Sequence, residues 1–140
     1  MIKLHRRFGD FEPFLKKHKQ FETAIEELIQ FHQKRTCWIW FLLPNLKKDG
    51  QSYYANYFGL YDKKEAILFY QNNVLKTRLF QLLEIIHDKQ QTYSTKYIMN
   101  GYVDMVKLKS CIDLFYDVTT DDKEKLLLTK MITQCNKDFF

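Results

Sequence analysis

Two tryptophans one residue apart, Trp38 and Trp40, follow closely on two cations, Lys34 and Arg35. An indole face can stack on a base or another flat ring, and a cation nearby can hold a phosphate. Two later cations, Arg78 and Lys107, and the ring of Tyr57 are the groups that could join them. Gathered by the fold, these side chains would form an aromatic and cationic pocket for an anionic, nucleotide-like small molecule. Asp104, Lys107 and Ser110 recur at a spacing of three, which places them along one flank of a helix near its N-terminus, where anions are favoured. The candidate ligand-binding set is therefore Arg35, Trp38, Trp40, Tyr57, Arg78, Asp104, Lys107 and Ser110.

Each of these residues also has a plainer reading. Either Trp supplies a large apolar area to a core and needs no further purpose. Arg78 lies beside the stripe Leu75, Leu79 and Leu82, so a half-buried structural ion pair with a carboxylate such as Asp104 would satisfy it. Asp104 serves equally well as an N-cap. Lys107 could activate the Ser110 hydroxyl only if desolvated, and no Gly-rich turn or oxyanion loop accompanies the pair. Cys37 has no identifiable base and reads as a buried, inert thiol.

Other chemistries lack their motifs. The chain has no P-loop, dinucleotide glycine fingerprint, H-E-x-x-H or G-x-S-x-G. Cys37, Cys111 and Cys135 are odd in number and far apart, and His5, His18, His32 and His87 are scattered singly. Neither a disulfide framework nor a metal site is expected, and no cofactor. No apolar run reaches the roughly 18 residues of a membrane span, and the charged N-terminal segment is not a signal peptide, so the protein reads as cytoplasmic.

Composition points to helices. Of 140 residues 46% are hydrophobic, with twelve Phe and nine Tyr, while Gly and Pro number only four and two. That content can bury a core, and the scarcity of turn formers disfavours β sandwiches. The usage, rich in Lys, Phe, Tyr, Ile and Asn, suits an AT-rich genome. The net charge of +5 is concentrated in Lys3, Arg6, Arg7, Lys16, Lys17 and Lys19. Such a segment either binds phosphates or simply keeps a face solvated.

The elements that must position these groups follow from capping and periodicity. Asp10 reads as the N-cap of a short helix running to about Lys17. Phe21, Ile25, Leu28, Ile29 and His32 then share one helical face, with Glu22, Glu26, Glu27 and Gln30 opposite. The apolar run from Cys37 to Leu43 reads as a buried helical or irregular segment ended by Pro44. Leu46–Ser52 reads as an exposed loop with a turn at Lys47–Gly50, followed by tyrosines at mixed spacing from Tyr53 to Tyr61. Asp62 caps a helix through Tyr70, and Asn72-Asn73 breaks it. A leucine stripe from Leu75 to Ile86 ends near His87. Ser94 caps a short helix closing at Gly101, Asp104 caps the next, and Asp121 or Asp122 starts the last.

The stretch Phe21-Glu22-x-Ala24-x-x-Glu27-Leu28, followed by Lys34-Arg35-x-Cys37-Trp38-Ile39-Trp40-Phe41-x-x-Pro44, resembles the signature of the domain of unknown function 1810 family, whose members are sometimes labelled calpastatin-like. Glu65-Ala66 with Tyr70, Val74-Leu75 with Arg78-Leu79, Asp104-x-x-Lys107-Leu108-x-Ser110 and Leu114-Phe115 keep the family's order. The resemblance implies an α-helical fold and no agreed activity. This chain departs from the family pattern with Cys37 in place of His, Cys111 in place of Ser, and a shorter loop after Pro44.

The expectation is an all-α protein, a single compact orthogonal bundle of about six or seven helices spanning 1–140. Its family-like core covers about 11–118 and its C-terminal helix about 121–136. The leading functional expectation is binding, with or without turnover, of the anionic nucleotide-like molecule. The alternatives are a protein-interaction or inhibitory module using the tyrosines from Tyr53 to Tyr61, and a nucleic-acid accessory protein using the basic N-terminal segment.

Overall fold

The computed structural model describes residues 5–48 and 51–138. Lys3, and Asp49 and Gly50 of the expected turn, lie outside the described residues. Nine helices and no strands occur among the described residues. They are α1 (Glu12–Leu15), α2 (His18–Phe31), α3 (Ile39–Leu42), α4 (Tyr53–Phe58), α5 (Lys63–Gln71), α6 (Asn73–Gln90), α7 (Thr95–Ile98), α8 (Tyr102–Val118) and α9 (Asp122–Asp138). Beyond the expected six or seven stand α3, in the segment read as helical or irregular, and α4. Both are too short, and too apolar or aromatic throughout, for a helical period to register in the sequence.

Caps account for most of the boundaries. Asp62 accepts from the Glu65 N–H at 2.9 Å, Asn72 from Val74 and Leu75 at 3.1 Å each, and Ser94 from Tyr97 at 3.1 Å. Each side chain satisfies first-turn amides that the helix leaves unpaired. Asp104 does not cap α8. That helix begins two residues earlier, behind Gly101, whose φ of 132° suits glycine alone. Asp10 stands one place outside the cap of α1, with Phe11 in the cap position and its own carboxylate accepting from Glu12 N at 3.2 Å. The leucine stripe continues past His87 to Gln90.

The two long central helices, α6 and α8, organise the core: α6 contacts α1, α2, α5, α7 and α9, while α8 contacts α3, α5, α7 and α9. Phe14, Phe69, Phe115, Leu79, Leu82, Leu83 and Leu108 meet there, each nearly or fully buried. On α2 the face assignment needs correcting. Ile29 is 58% exposed, whereas Glu27 is buried with Ala24 and Leu28, because the inward face passes through 21, 24, 27 and 28. Among the described residues no helix is long and apolar enough to cross a membrane.

A buried ion pair ties the N-terminal segment to this core. The Arg6 guanidinium donates to both oxygens of Glu65, at 2.9 and 2.6 Å, and to the carbonyls of Tyr57 and Gly59. Gly9 and Tyr61 amides also donate to Glu65, at 2.7 and 3.0 Å. Burial by itself would raise the Glu65 carboxyl, but these hydrogen bonds and the charge of Arg6 outweigh it and hold the group below its ordinary value. Arg6 is thus a structural cation rather than part of a solvated basic patch. Between Pro44 and α5 the chain closes on itself. Lys47 N–H donates to Leu60 O and Leu60 N–H to Asn45 O, both at 2.8 Å, forming an isolated parallel bridge of Leu46 with Leu60. Lys47 crosses Gly59 so closely that a Cβ there would stand 2.7 Å from Lys47 Cγ and 2.8 Å from Ala55 O.

Removing one partner of a buried ion pair leaves the other charge without compensation. Arg6→Ala is therefore expected to lower the unfolding free energy by about 3–5 kcal/mol in urea titration. A loss under about 1 kcal/mol would show the pair to be dispensable. Because the folded Glu65 binds its proton more weakly than the unfolded chain does, its contribution is complete above the unfolded value of about 4.3. It is lost as pH falls through the lower folded value. Glu65→Gln should accordingly give a less stable protein whose stability falls less steeply below about pH 4.

Candidate functional site

The candidate site is built outward from the buried carboxylate of Glu27. It accepts from Arg35 N–H at 2.7 Å, Thr36 N–H at 3.1 Å, the Thr36 hydroxyl, and the indole N–H of Trp38 at 2.9 Å. Burial pushes its carboxyl up, yet these donors prevail and hold it below the ordinary range. The carboxylate so fixes the turn at residues 35–38, and with it the start of α3. Trp38, 1% exposed, is sealed in the core. Trp40 sits two residues on, only partly buried, and lines a solvent-open cleft between α3, α4 and α8.

This cleft has a volume of about 90 Å³. Ile39, Leu43 and Val106 give it apolar walls, and Asn45, Lys48, Gln51, Lys107 and Ser110 its polar groups. The Lys107 ammonium lies 5.2 Å from the centre of the Trp40 ring, within cation–π range. Asp104 sits between two ammonium groups, with Lys34 at 2.9 Å and Lys107 at 3.9 Å. Lys34 in turn lies 5.3 Å from the Trp38 ring. Asn45 donates to the Lys107 carbonyl at 3.0 Å, which fastens the segment after Pro44 to α8. The buried indole N–H of Trp40 has no hydrogen-bond partner among the described residues.

A second hollow, of about 190 Å³, adjoins the first at Gln51 and is lined by His5, Arg6, Lys47, Tyr53, Asn56 and Tyr57. The Lys47 ammonium donates to the Asn56 carbonyl and lies 4.6 Å from the Tyr61 ring. Burial and the charge of Arg6 lower the affinity of Lys47 for its proton, against a smaller opposing effect of Glu65.

The family model described as Protein of unknown function (DUF1810) matches residues 9–138. The chain belongs to the DUF1810 family. It is similar to the conserved hypothetical protein Rv1873 from Mycobacterium tuberculosis, a solved structure with a TM-score of 0.77 at 26% sequence identity, covering 90% of this chain and 89% of that one. No curated protein matches the sequence.

Of the eight residues expected at the site, this DUF1810 chain brings Trp40, Lys107 and Ser110 to the cleft, with Asp104 behind Lys107. Tyr57 lines the adjoining hollow. Three stand elsewhere. Trp38 is inaccessible. Arg35 is exposed and lies over the Phe31 ring at 4.4 Å, its backbone serving Glu27. Arg78 forms no pair with Asp104. It donates instead to the carbonyls of Phe14 and Leu15, at 3.3 and 3.2 Å, closing the C-terminal end of α1. Cys37, expected to be buried, is exposed, while burial pushes the Cys135 thiol up to about 11 and Cys111 higher still.

Asn45, Lys48 and Gln51 were missed because they lie in a loop, where no period marks orientation. Glu27 carried a legible signal, its place one helical turn from Ala24 beside Leu28. Among the described residues no group of three or more His, Cys, Asp or Glu could hold a metal ion.

The unequal burial of the two indoles has a direct optical consequence. Acrylamide should quench the wild-type emission through Trp40 and leave the Trp40→Phe protein, with only Trp38 emitting, several-fold less quenchable. Equal quenching of the two proteins would mean that Trp40 is as sealed as Trp38.

Proposed function

We propose that this protein binds a small anionic ligand carrying a flat ring, of the nucleotide kind, in the cleft at Trp40. The observation that carries the reading is the Lys107 ammonium held over the Trp40 ring at the mouth of an open cleft. A ring on Trp40 gains about 1–3 kcal/mol by stacking. Lys107 and Lys48 supply charge to an anionic group, and Asn45, Gln51 and Ser110 supply donors and acceptors that orient it. Size limits the occupant. Sites that enclose a whole drug-sized ligand measure about 300–1,000 Å³, so a cleft of about 90 Å³ takes one ring or one phosphate. The remainder of the ligand lies in the adjoining hollow, toward Tyr57.

Turnover draws no support from the arrangement. Lys107 is engaged by Asp104 and the Trp40 ring, and no contact joins it to Ser110 among the described residues. The basic N-terminal segment is a weaker candidate for nucleic acid, because Arg6 is consumed by Glu65 and Lys17 lies over Phe41 and Phe58.

Titration with nucleoside monophosphates, followed by melting temperature and by quenching of tryptophan emission, tests the reading. A raised melting temperature with quenched emission is expected, and Trp40→Phe should abolish the quenching. Lys107→Ala should weaken binding about tenfold or more, the effect of losing one charge-assisted contact. If none of the monophosphates alters either signal, the cleft is not a nucleotide site.

A further inference from the structure

The cleft does not end at Trp40. The Trp40 ring lies 5.8 Å from that of Tyr54, Tyr54 lies 5.7 Å from Tyr53, and Tyr53 stacks on Tyr57 at 5.8 Å with 18° between the planes. Helix α4 reads Tyr53-Tyr54-Ala55-Asn56-Tyr57-Phe58, so spacing of four sets its rings in two stacked columns, 53 over 57 and 54 over 58. Phe58 anchors the helix in the core, whereas Tyr53 and Tyr54 are 52% and 55% exposed. The contacts form a continuous run of rings, with Tyr53 and Tyr54 its most exposed members and the partly buried Trp40 of the cleft at one end.

Among the described residues that line the cleft and the hollow, charge has one sign. Lys107 stands at the Trp40 end, Lys48 in the cleft and Lys47 at the Tyr57 end. Among the described residues, carboxylates of the surrounding helices are engaged by other cations or by Lys107 itself: Asp104 by Lys34 and Lys107, Glu65 by Arg6, Asp113 by Lys109 and Asp117 by Lys63. Polar amides of Gln51 and Asn56 stand between the rings.

We infer that the exposed rings of α4 extend the Trp40 cleft into a platform for a short single-stranded oligonucleotide, one base on Trp40 and the next on Tyr53 or Tyr54. This rests on the cleft reading proposed above and enlarges its ligand from one nucleotide to several. Stacking on side chains requires bases whose faces are free, so the platform selects a single strand over a duplex. The rings accept any base, and the lysines hold the backbone without reading sequence. An acidic protein segment would use the lysines and leave the rings without a matching partner.

The test compares a fluorescein-labelled hexathymidylate with thymidine monophosphate and with a hexamer duplex on the full chain. The single strand is expected to bind about tenfold or more tightly than the monophosphate, the gain from one further stacked base. Tyr53→Ala with Tyr54→Ala should remove that gain, so that the variant binds the strand no more tightly than it binds the monophosphate. Tyr53→Phe with Tyr54→Phe should keep it, which separates the rings from their hydroxyls and from any loss of folding. Log affinity should fall against log salt with a slope of about −2, three lysines each contributing about 0.7.

A single strand no tighter than the monophosphate, a duplex bound equally well, or polyglutamate bound as tightly as the strand overturns the platform and leaves the cleft reading standing. Strand binding that needs Tyr53 and Tyr54 but ignores Trp40→Ala likewise overturns the inference, because the cleft then takes no base.

Discussion

The cleft at Trp40 depends on a buried carboxylate that does not line it. Glu27 is turned into the protein from a helix whose other glutamates face water, and only its four donors make that burial tolerable. Two of those donors are amides of residues 35 and 36, so the chain leaving α2 must wrap the carboxylate before it can do anything else. The third is the Thr36 hydroxyl and the fourth the Trp38 indole, which is thereby drawn into the core. Only then does the one-turn helix α3 begin, and only its position lets the second indole reach the surface. Tandem tryptophans thus divide the labour, one anchoring and the next presented.

Burial of charge recurs as the way this fold joins distant segments. Arg6 and Glu65 lie 59 positions apart, and Lys34 and Asp104 lie 70 apart by their numbers. Each pair is surrounded by rings: Arg6 lies over Phe14 and Tyr61, and Lys34 over Trp38. A desolvated ion pair contributes little net stability, since the loss of hydration offsets the attraction. What it contributes is registry, because no other placement of the partners leaves both charges satisfied. Asp104 shows the consequence at the site. By holding Lys34 and Lys107 together it sets the ammonium that stands over Trp40.

The long helices were legible in the sequence because their signals are local. Asp62 and Ser94 cap where capping chemistry says they should, Asn72, read only as a break, also caps α6, and the stripe from Leu75 to Ile86 faces inward. Family membership was legible too, from the tandem tryptophans and the motifs after them. The site was legible only in part. Trp40, Lys107 and Ser110 were found through residue type and spacing, but nothing local distinguishes Trp40 from Trp38, since the difference is made by Glu27 eleven residues earlier. Arg78 was misassigned for a related reason. A carboxylate is the expected partner of a half-buried guanidinium, and here backbone carbonyls at the end of α1 serve instead. Helix α4 escaped because four aromatics in six residues leave no polar face for a period to reveal.

The crossing of Lys47 over Gly59 gives the intervening segment a constricted neck, hydrogen-bonded on both sides through Asn45, Lys47 and Leu60. Helix α4 hangs from this base, with the Lys47 ammonium also donating to its Asn56 carbonyl. Loop closure adds little cost for extra residues once the base is held. The exposed positions of α4, Tyr53 and Tyr54, are therefore free to vary while Leu60, Phe58 and the helices beneath keep their places. Glycine at 59 is not, because a side chain there has no room between the two passing stretches of backbone.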